Sequence, residues 1–251
     1  MTFSVIIPVL NRATMIGTAL DSVRAQSTGD VEILVVDGGS SDGTQDVVAS
    51  RSDARLIAAP GSTLYAALNI GVAAARAPVI QQHKSDGRGA SGAMSAVRRA
   101  QGAGQRAWVL RGRAAYVRFD PDDGAGEIAD PRASSRFPRR LTAASVLFRP
   151  PAINANIVHA DVYRRIGPYD ERYRIAADRE WLLRAVIANV EIRLIEELVY
   201  VYRGHPGSLT MREQAAKGAE DWVFEHLEMA ETHLAAGEAL PSARRRLAAF
   251  H

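Results

Sequence analysis

The stretch that decides the fold is FSVIIPVLNR (residues 3–12) together with EILVVDGGSSDGT (residues 32–44). Each half is a short run of β-branched residues that ends in polar and turn residues and is followed by a helical pattern. This order is typical of two buried parallel strands, each leading into a helix. Ligands of open α/β sheets bind at the carboxyl ends of the strands, so we expect the functional site at these two strand ends.

Length and composition favour one large α/β domain. The chain has 251 residues, of which 47% are hydrophobic and 24% are charged, and its net charge is +3. It has no cysteine, which excludes disulfides, thiolate metal sites and a cysteine nucleophile. The apolar runs are far shorter than the ~20 residues of a membrane-spanning helix, and no signal peptide precedes the first strand. We therefore expect a cytoplasmic protein.

Basic residues outnumber acidic ones between Lys84 and Arg149. Such a region suits an anionic diphosphate, an anionic glycan or an acidic membrane surface, and the last would place the protein peripherally on the inner face of the membrane. A solvated, arginine-rich face is the alternative. The sequence carries no nucleic-acid-binding motif, and its aromatic residues are not interleaved with basic ones, so nucleic acid is not an expected partner.

Hydrophobic periodicity predicts alternating strands and helices, interrupted by a long proline-containing excursion over residues 120–140. The predicted strands cover residues 3–9, 31–37, 55–58, 78–82, 107–110, 113–119, 192–195 and 198–202, and the predicted helices cover residues 14–26, 44–50, 64–75, 91–101, 161–166, 179–188 and 213–236, with a short basic helix from about residue 243. We divide the chain into a domain of residues 1–210 and a helical C-terminal extension of residues 211–251. The extension is expected to pack on the domain or on a second copy of the chain, as a homodimer, with a membrane-surface role as the alternative.

Several motifs together resemble one known family. They are the two opening stretches, followed by LYAALNIG (residues 64–71), IGPYDE (166–171), IAADRE (175–180) and YRGHPGSLT (202–210). In this combination the chain resembles the family-2 inverting glycosyltransferases. The resemblance implies a GT-A-like, Rossmann-related α/β fold with a mostly parallel sheet flanked by helices. It also implies inverting transfer of a sugar from a nucleotide-diphosphate donor, preferably a UDP-sugar, to a glycan, lipid-linked or small-molecule acceptor.

The nucleotide contacts are expected in the two opening loops. They are Pro8, Val9, Asn11, Arg12, Asp37 and Gly38, most of them assigned by resemblance. Asp37 ends the second strand, where its carboxylate can accept a hydrogen bond from the base or the ribose; the alternative is that it holds the turn that follows. Asp42 is expected to cap the helix that begins near Thr44. For Arg12 the alternative is a surface charge.

The diphosphate-binding motif departs from the family pattern. A divalent metal on carboxylates, Mg²⁺ or Mn²⁺, usually neutralises the leaving diphosphate. Here the corresponding run is Lys84-Ser85-Asp86-Gly87, with glycine where a second carboxylate is common and lysine where the family often has Asp or Asn. The remaining candidate metal ligands are Asp86 and His205. We expect a metal that is weakly bound or dispensable, with Lys84, Ser85 and Asp86 contacting the nucleotide.

Asp178 is the candidate general base. By resemblance, it takes the proton of the acceptor hydroxyl while the sugar inverts. Its place at a predicted helix start also suits an N-cap, and the two roles are compatible. Glu180 is a second carboxylate, which either assists or is exposed. Arg203 is expected to bind phosphate, and the loop that contains His205 closes over the diphosphate or is merely a turn.

Two other function classes compete with an enzyme of this family. A non-catalytic relative that binds nucleotide sugars or glycans is favoured by the Lys84-Ser85-Asp86-Gly87 run and by Ala66, which stands where the family often has aspartate. A dinucleotide oxidoreductase is disfavoured because G-x-G-x-x-G does not follow the first strand. Turnover of activated sugars is expected of the enzyme and not of the non-catalytic relative.

Overall fold

Helices and strands alternate along the chain. The computed structural model describes residues 3–26, 31–100, 108–118, 128–129, 141–148, 155–204 and 218–235. The strands are β1 (Phe3–Val9), β2 (Val31–Asp37), β3 (Ala54–Ala58), β4 (Val79–Gln82), β5 (Arg88–Gly89), β6 (Trp108–Arg118), β7 (Ile128–Ala129), β8 (Asn156–His159) and β9 (Glu191–Gly204). The helices are α1 (Ala13–Arg24), α2 (Thr44–Ala49), α3 (Leu64–Ala74), α4 (Ala93–Ala100), α5 (Ala143–Phe148), α6 (Ala160–Ile166), α7 (Ala177–Ile187) and α8 (Gly218–Ala235).

The strands form one mixed sheet in the order β3-β2-β1-β4-β8-β6-β9-β5, with β7 paired to β6. The first four are parallel, with β1 between β2 and β4 and β3 outside β2. The α/β fold class is confirmed. Beyond β4 the sheet is no longer parallel throughout, because β8 enters between β4 and β6 in the opposite direction.

The first strand is buried along its whole length. Since successive side chains of a strand point to opposite faces, Ile6 joins an apolar cluster with Leu68 of α3 and Leu182 of α7. Val5 and Ile7 join the cluster on the opposite face, where α1 contributes apolar residues at helical spacing, namely Ile16, Leu20 and Val23. Fully burying a side chain of this kind contributes about 1.5–3 kcal/mol. The two clusters fix the sheet between its helices.

In two places the sequence predicts a pair of short strands where the structure has one long strand. The predictions over residues 107–110 and 113–119 fall in β6, and those over 192–195 and 198–202 fall in β9. The register between β6 and β9 shifts within residues 111–114. Such a bulge interrupts the alternation of side chains, so one long strand has the sequence pattern of two short ones. Helix α5 and strand β8 lack a clear periodic signal and are absent from the sequence-based prediction.

The C-terminal helix α8 packs on the body of the protein. Met229 and Ala230 are buried in the same cluster as Trp181 of α7. A homodimer, membrane contact and the boundary at residue 210 stay predictions, and the basic helix near residue 243 lies outside the described residues. In the part of the chain that the structure describes, none of the helices has both the length and the apolar character that a membrane crossing requires.

Gly71 of α3 approaches β1 so closely that a methyl group on its Cα would overlap the side chain of Ile6. We expect Gly71→Ala to lower the free energy of unfolding by about 1–3 kcal/mol, because overpacking displaces buried neighbours. A methyl group on the Cα of Gly17, in α1, would meet no atom within 4 Å, so Gly17→Ala is the matched control. It should raise the free energy of unfolding by about 0.5–1 kcal/mol, since alanine favours a helix. Urea unfolding measures both variants, and similar effects at the two glycines would contradict the close approach.

Candidate active site

A cleft of about 350 Å³ opens beyond the carboxyl ends of β1 and β4. Its described lining is Pro8, Val9, Leu10, Asn11, Arg12, Gly38, Ser62, Thr63, Leu64, Ala67, Lys84, Ser85 and Asp86. The predicted nucleotide contacts before and after β4 therefore lie around one concave surface, although they are distant in sequence. Asp37 and Arg203 are the two exceptions, since neither is among the described residues that line this cleft.

Hydrogen bonds join the loop after β1, which lines the cleft, to the loop after β2. The backbone N–H of Asn11 donates to Ser40 Oγ at 2.8 Å, and the N–H of Ser41 donates back to Asn11 Oδ1 at 2.9 Å. Asn11 adopts a φ of +52°, a left-handed conformation that asparagine tolerates better than most side chains. The N–H of Gly38 donates to the carbonyl of Val9 at 2.9 Å. The side chain of Asn11 thus serves as a structural brace as well as part of the cleft wall.

Asp42 connects the starts of α1 and α2. Its Oδ2 accepts from the backbone N–H of Ala13 at 3.0 Å, and its Oδ1 accepts from the backbone N–H of Thr44 at 3.0 Å. Thr44 Oγ1 in turn accepts from the N–H of Arg12 at 2.8 Å. The N-cap residue of α2 is Gly43, so Asp42 is not the N-cap itself; it lies one residue earlier and accepts from the N–H of the first helical residue. The carboxylate satisfies N-terminal donors of two helices at once.

The Asp37 carboxylate is buried and stabilises the turn that follows β2. Its Oδ1 accepts from the N–H groups of Gly39 and Ser40, at 2.9 and 2.8 Å, and from Gln45 Nε2 at 2.8 Å. Burial raises the pKa of Asp37, but these hydrogen bonds outweigh it and hold the pKa below its ordinary value. The turn-forming alternative is therefore observed. Oδ2 has no hydrogen-bond partner within the described residues, and the nucleotide contact stays a prediction.

One wall of the cleft was not anticipated from the sequence. The loop after β3 and the start of α3 contribute Ser62, Thr63, Leu64 and Ala67. Thr63 caps α3 by accepting from the N–H of Ala66 at 3.2 Å. A signal was available, because Pro60 and Gly61 mark a turn at the carboxyl end of a strand parallel to β2. Leu10, 52% exposed, adds an apolar side chain to the same cleft.

The Lys84-Ser85-Asp86-Gly87 run follows β4, and its first three residues line the cleft. The backbone N–H of Lys84 donates to the hydroxyl of Tyr200 at 3.1 Å. A side chain on Gly87 would overlap the same hydroxyl. Tyr200 therefore occupies the space that a carboxylate at position 87 would need.

The described residues do not fit a divalent metal on their own. Asp86 supplies a carboxylate to the cleft, and Lys84 brings a positive charge to the same surface. No group of three or more His, Asp or Glu side chains that could hold a metal occurs among the described residues. His205, the second predicted ligand, lies outside them, so its role stays a prediction.

Asp178 is the second residue of α7 and is half-buried. The N-cap of α7 is Ala176, so the interpretation of Asp178 as an N-cap is wrong. Burial raises the pKa of Asp178 from 3.8 to about 6, and Arg179, Tyr65 and Lys84 partly oppose this shift. A carboxylate with such a pKa is ionised at neutral pH and is basic enough to take a proton, as a general base requires.

Tyr65 connects the cleft with Asp178. It follows Leu64 of the cleft lining at the start of α3, and its hydroxyl donates to the carbonyl of Ile175 at 2.9 Å. The same hydroxyl interacts with the Asp178 carboxylate, as does the charge of Lys84 from the cleft. Sequence reasoning missed Tyr65, because nothing in LYAALNIG indicates a partner more than one hundred residues away.

Two predicted polar residues are buried away from the cleft. Glu180 is 4% exposed and forms a bidentate ion pair with Arg184, at 2.7 and 2.8 Å, and a contact of 3.1 Å with His233 Nε2. The alternative that Glu180 is exposed is therefore wrong, and a role in assisting Asp178 stays a prediction. Arg203 is buried in β9 at 7% exposure. It is not among the described residues that line the cleft, and its phosphate contact stays a prediction.

Comparison with known proteins agrees with this geometry. The sequence profile described as "Glycosyl transferase family 2" matches residues 4–102. A PGL/p-HBAD biosynthesis glycosyltransferase of Mycobacterium tuberculosis is 31% identical over an alignment of 195 residues, and the match covers 72% of this chain and 68% of that protein. Glycosyltransferase AglE of Haloferax volcanii is 26% identical over an alignment of 245 residues, and the match covers 90% of this chain and 76% of that protein. The chain belongs to glycosyltransferase family 2 and is therefore a member of a family of transferases.

A solved structure shows the same fold. The crystal structure of S. aureus TarS in complex with UDP-GlcNAc superposes with a TM-score of 0.63 at 18% identity, over 83% of this chain and 60% of that chain. At this identity the similarity establishes the GT-A fold. The present chain spans less than two thirds of the crystallised TarS protein.

Asp42→Ala should lower the free energy of unfolding by about 1–2 kcal/mol, because it leaves N-terminal donors of two helices without their acceptor. Asp46→Ala removes the same charge from an exposed position in the first turn of α2 and is the matched control. Urea unfolding gives the stability, and calorimetry with UDP gives the affinity, which should change little in either variant. Loss of UDP binding by Asp42→Ala at normal stability would mean that Asp42 is a ligand contact rather than a cap.

Proposed function

We propose that this protein transfers a sugar, with inversion, from a UDP-linked donor to the hydroxyl of a glycan, lipid-linked or small-molecule acceptor. The observation that carries the proposal is the link between Asp178 and the cleft: the Asp178 carboxylate interacts with the hydroxyl of Tyr65 and with the charge of Lys84, which lines the cleft, although Asp178 is not among the described lining residues. Burial raises the pKa of this carboxylate to about 6. The binding of UDP-GlcNAc by TarS, which has the same fold, supports a uridine nucleotide as the donor.

The proposed reaction is a single displacement at the anomeric carbon. The acceptor oxygen forms a bond to this carbon as the bond to the diphosphate oxygen breaks, and the electron pair of the broken bond leaves with the diphosphate. The proton of the acceptor hydroxyl passes to Asp178. Attack on the face opposite the leaving group inverts the anomeric configuration.

The leaving diphosphate needs positive charge, and the described cleft lining includes two cationic side chains, Arg12 and Lys84. We assign the diphosphate to Lys84, which follows β4 in the run Lys84-Ser85-Asp86-Gly87. A lysine ammonium is a compact charge on a flexible stem, which suits a diphosphate oxygen. Asp86 could still hold Mg²⁺ or Mn²⁺ if diphosphate oxygens and water completed its coordination. We propose that this metal is dispensable for nucleotide binding, because Lys84 faces the same cleft and Tyr200 leaves no room for a second carboxylate at Gly87.

A nucleotide-sugar or glycan-binding protein without catalysis is the second candidate. It is favoured by the same departure from the family pattern at Gly87 and by Ala66, which follows Tyr65 in α3. A panel of UDP-glucose, UDP-galactose and UDP-GlcNAc distinguishes the two candidates. Binding of UDP without transfer or donor hydrolysis would support the binding protein.

Asp178→Asn should reduce turnover by roughly 10²–10⁴ with nearly unchanged UDP affinity, because the amide keeps the shape of the side chain but cannot take a proton. Because the ionised form is the base and its pKa is about 6, turnover of the wild type should rise as the pH increases through 6 and be lost below it. UDP release across pH 4.5–8 and calorimetry measure these effects. Asp46→Asn is the matched control, and full turnover by Asp178→Asn would remove Asp178 from the mechanism.

Lys84→Met should weaken UDP binding in EDTA by about tenfold, roughly 1.4 kcal/mol, whereas Lys84→Arg should retain most of the affinity because it keeps the charge. The affinity of the wild type for UDP in EDTA should be within about tenfold of its affinity in Mn²⁺. Calorimetric titration of the three proteins under both conditions provides the measurement. A larger loss by the wild type in EDTA would show that a metal, rather than Lys84, carries the diphosphate.

A further inference from the structure

The C-terminal helix α8 lies on α7, the helix that carries the proposed base. Met229 and Ala230 are buried in the apolar cluster that includes Trp181 of α7. One turn later, Nε2 of His233 lies 3.1 Å from Glu180 Oε1. Apolar packing and a buried polar contact thus hold α8 in one place relative to α7.

Near the middle of α8, Glu225 reaches the segment immediately before α7. Its Oε1 accepts from the backbone N–H of Arg174 at 3.0 Å, and its Oε2 accepts from the N–H groups of Ile175 and Ala176, at 2.7 and 2.9 Å. One carboxylate therefore binds three successive backbone donors. The N-cap residue, Ala176, makes no side-chain capping hydrogen bond, and Glu225 instead binds the N–H groups of the segment that leads into α7, including that of Ala176 itself.

This segment also contacts Tyr65 on its other side. The carbonyl of Ile175 accepts from the Tyr65 hydroxyl at 2.9 Å, and that hydroxyl interacts with the Asp178 carboxylate. Asp178 follows Ala176 by only two residues. The path from Glu225 to the proposed base is therefore a hydrogen-bonded backbone segment held between α8 and α3.

We propose that Glu225 is a positioning residue for Asp178, so that the C-terminal helix completes the catalytic site. The inference rests on the proposed function, since it assumes that Asp178 is the base. Glu225 does not line the described cleft, so it should affect proton transfer without affecting donor binding. Three hydrogen bonds to consecutive amides restrict the segment far more than packing alone, and a general base must lie within hydrogen-bond reach of its proton.

The test compares Glu225→Gln with Glu231→Gln, which makes the same change of charge at an exposed position of α8. Glutamine keeps the size of the side chain but has one oxygen in place of two, so it cannot accept all three N–H groups. Turnover, followed as UDP release from the UDP-sugar that the wild type uses fastest, should fall at least tenfold in Glu225→Gln. UDP affinity by calorimetry should stay within twofold, and Glu231→Gln should resemble the wild type in both measurements.

A second variant separates positioning from a general loss of structure. In an Asp178→Asn background, Glu225→Gln should cost no further turnover, because the group that it positions is already inactive. Amide hydrogen exchange should be faster at Arg174, Ile175 and Ala176 in Glu225→Gln than in Glu231→Gln.

Three results would each overturn the inference. The first is that the turnover losses of Glu225→Gln and Asp178→Asn multiply in the double variant. The others are unchanged turnover in Glu225→Gln and unchanged exchange at the three amides. Full turnover by Asp178→Asn, or no turnover by the wild type, would instead overturn the proposed function and the inference with it. The exchange measurement distinguishes these cases, because it reports the Glu225 contact without any reaction.

Discussion

The constraint on which the structure depends is the complete burial of β1 between two parallel neighbours and two layers of helices. A strand that is buried on both faces and paired on both edges offers no place for exposed polar groups along its length. Polar chemistry is therefore confined to its end, where Asn11 and Arg12 follow. The loops after β2 and β4 begin at the same edge of the sheet, which is why the cleft forms there. For the same reason, hydrogen bonds can join the loop after β1 to the loop after β2.

Much of the first half of the fold could be predicted from the sequence, because β1, β2 and α3 have strong periodicity and clear turn signals at their ends. The second half was harder to predict. The bulge between β6 and β9 interrupts the side-chain alternation near Gly112, where a side chain would overlap Val199. In the site, motif residues such as Lys84 could be found from local sequence, whereas Tyr65 and Glu225 could not. Their roles arise from contacts that only the tertiary fold creates, at separations of 110 and about 50 residues.

The environment of Asp178 differs from that of the other carboxylates near the strand ends. Asp37 and Asp42 both accept backbone hydrogen bonds, which hold their pKa values below the ordinary range and fix them as structural anions. Burial instead dominates at Asp178 and raises its pKa to about 6. Asp37, Asp42 and Asp178 thus divide into two that stabilise loops and one that can exchange a proton near neutral pH. The distinction comes from solvation and hydrogen bonding, since the side chains are chemically identical.

The contact between Gly87 and Tyr200 couples two positions that are distant in sequence. An aspartate at position 87 would overlap the tyrosine ring, and a smaller residue at position 200 would leave a cavity beside glycine and remove the acceptor of the Lys84 N–H. Each single step towards an acidic pair therefore passes through a less stable protein. A second carboxylate beside Asp86 therefore requires simultaneous change at two positions that are 113 residues apart in the chain.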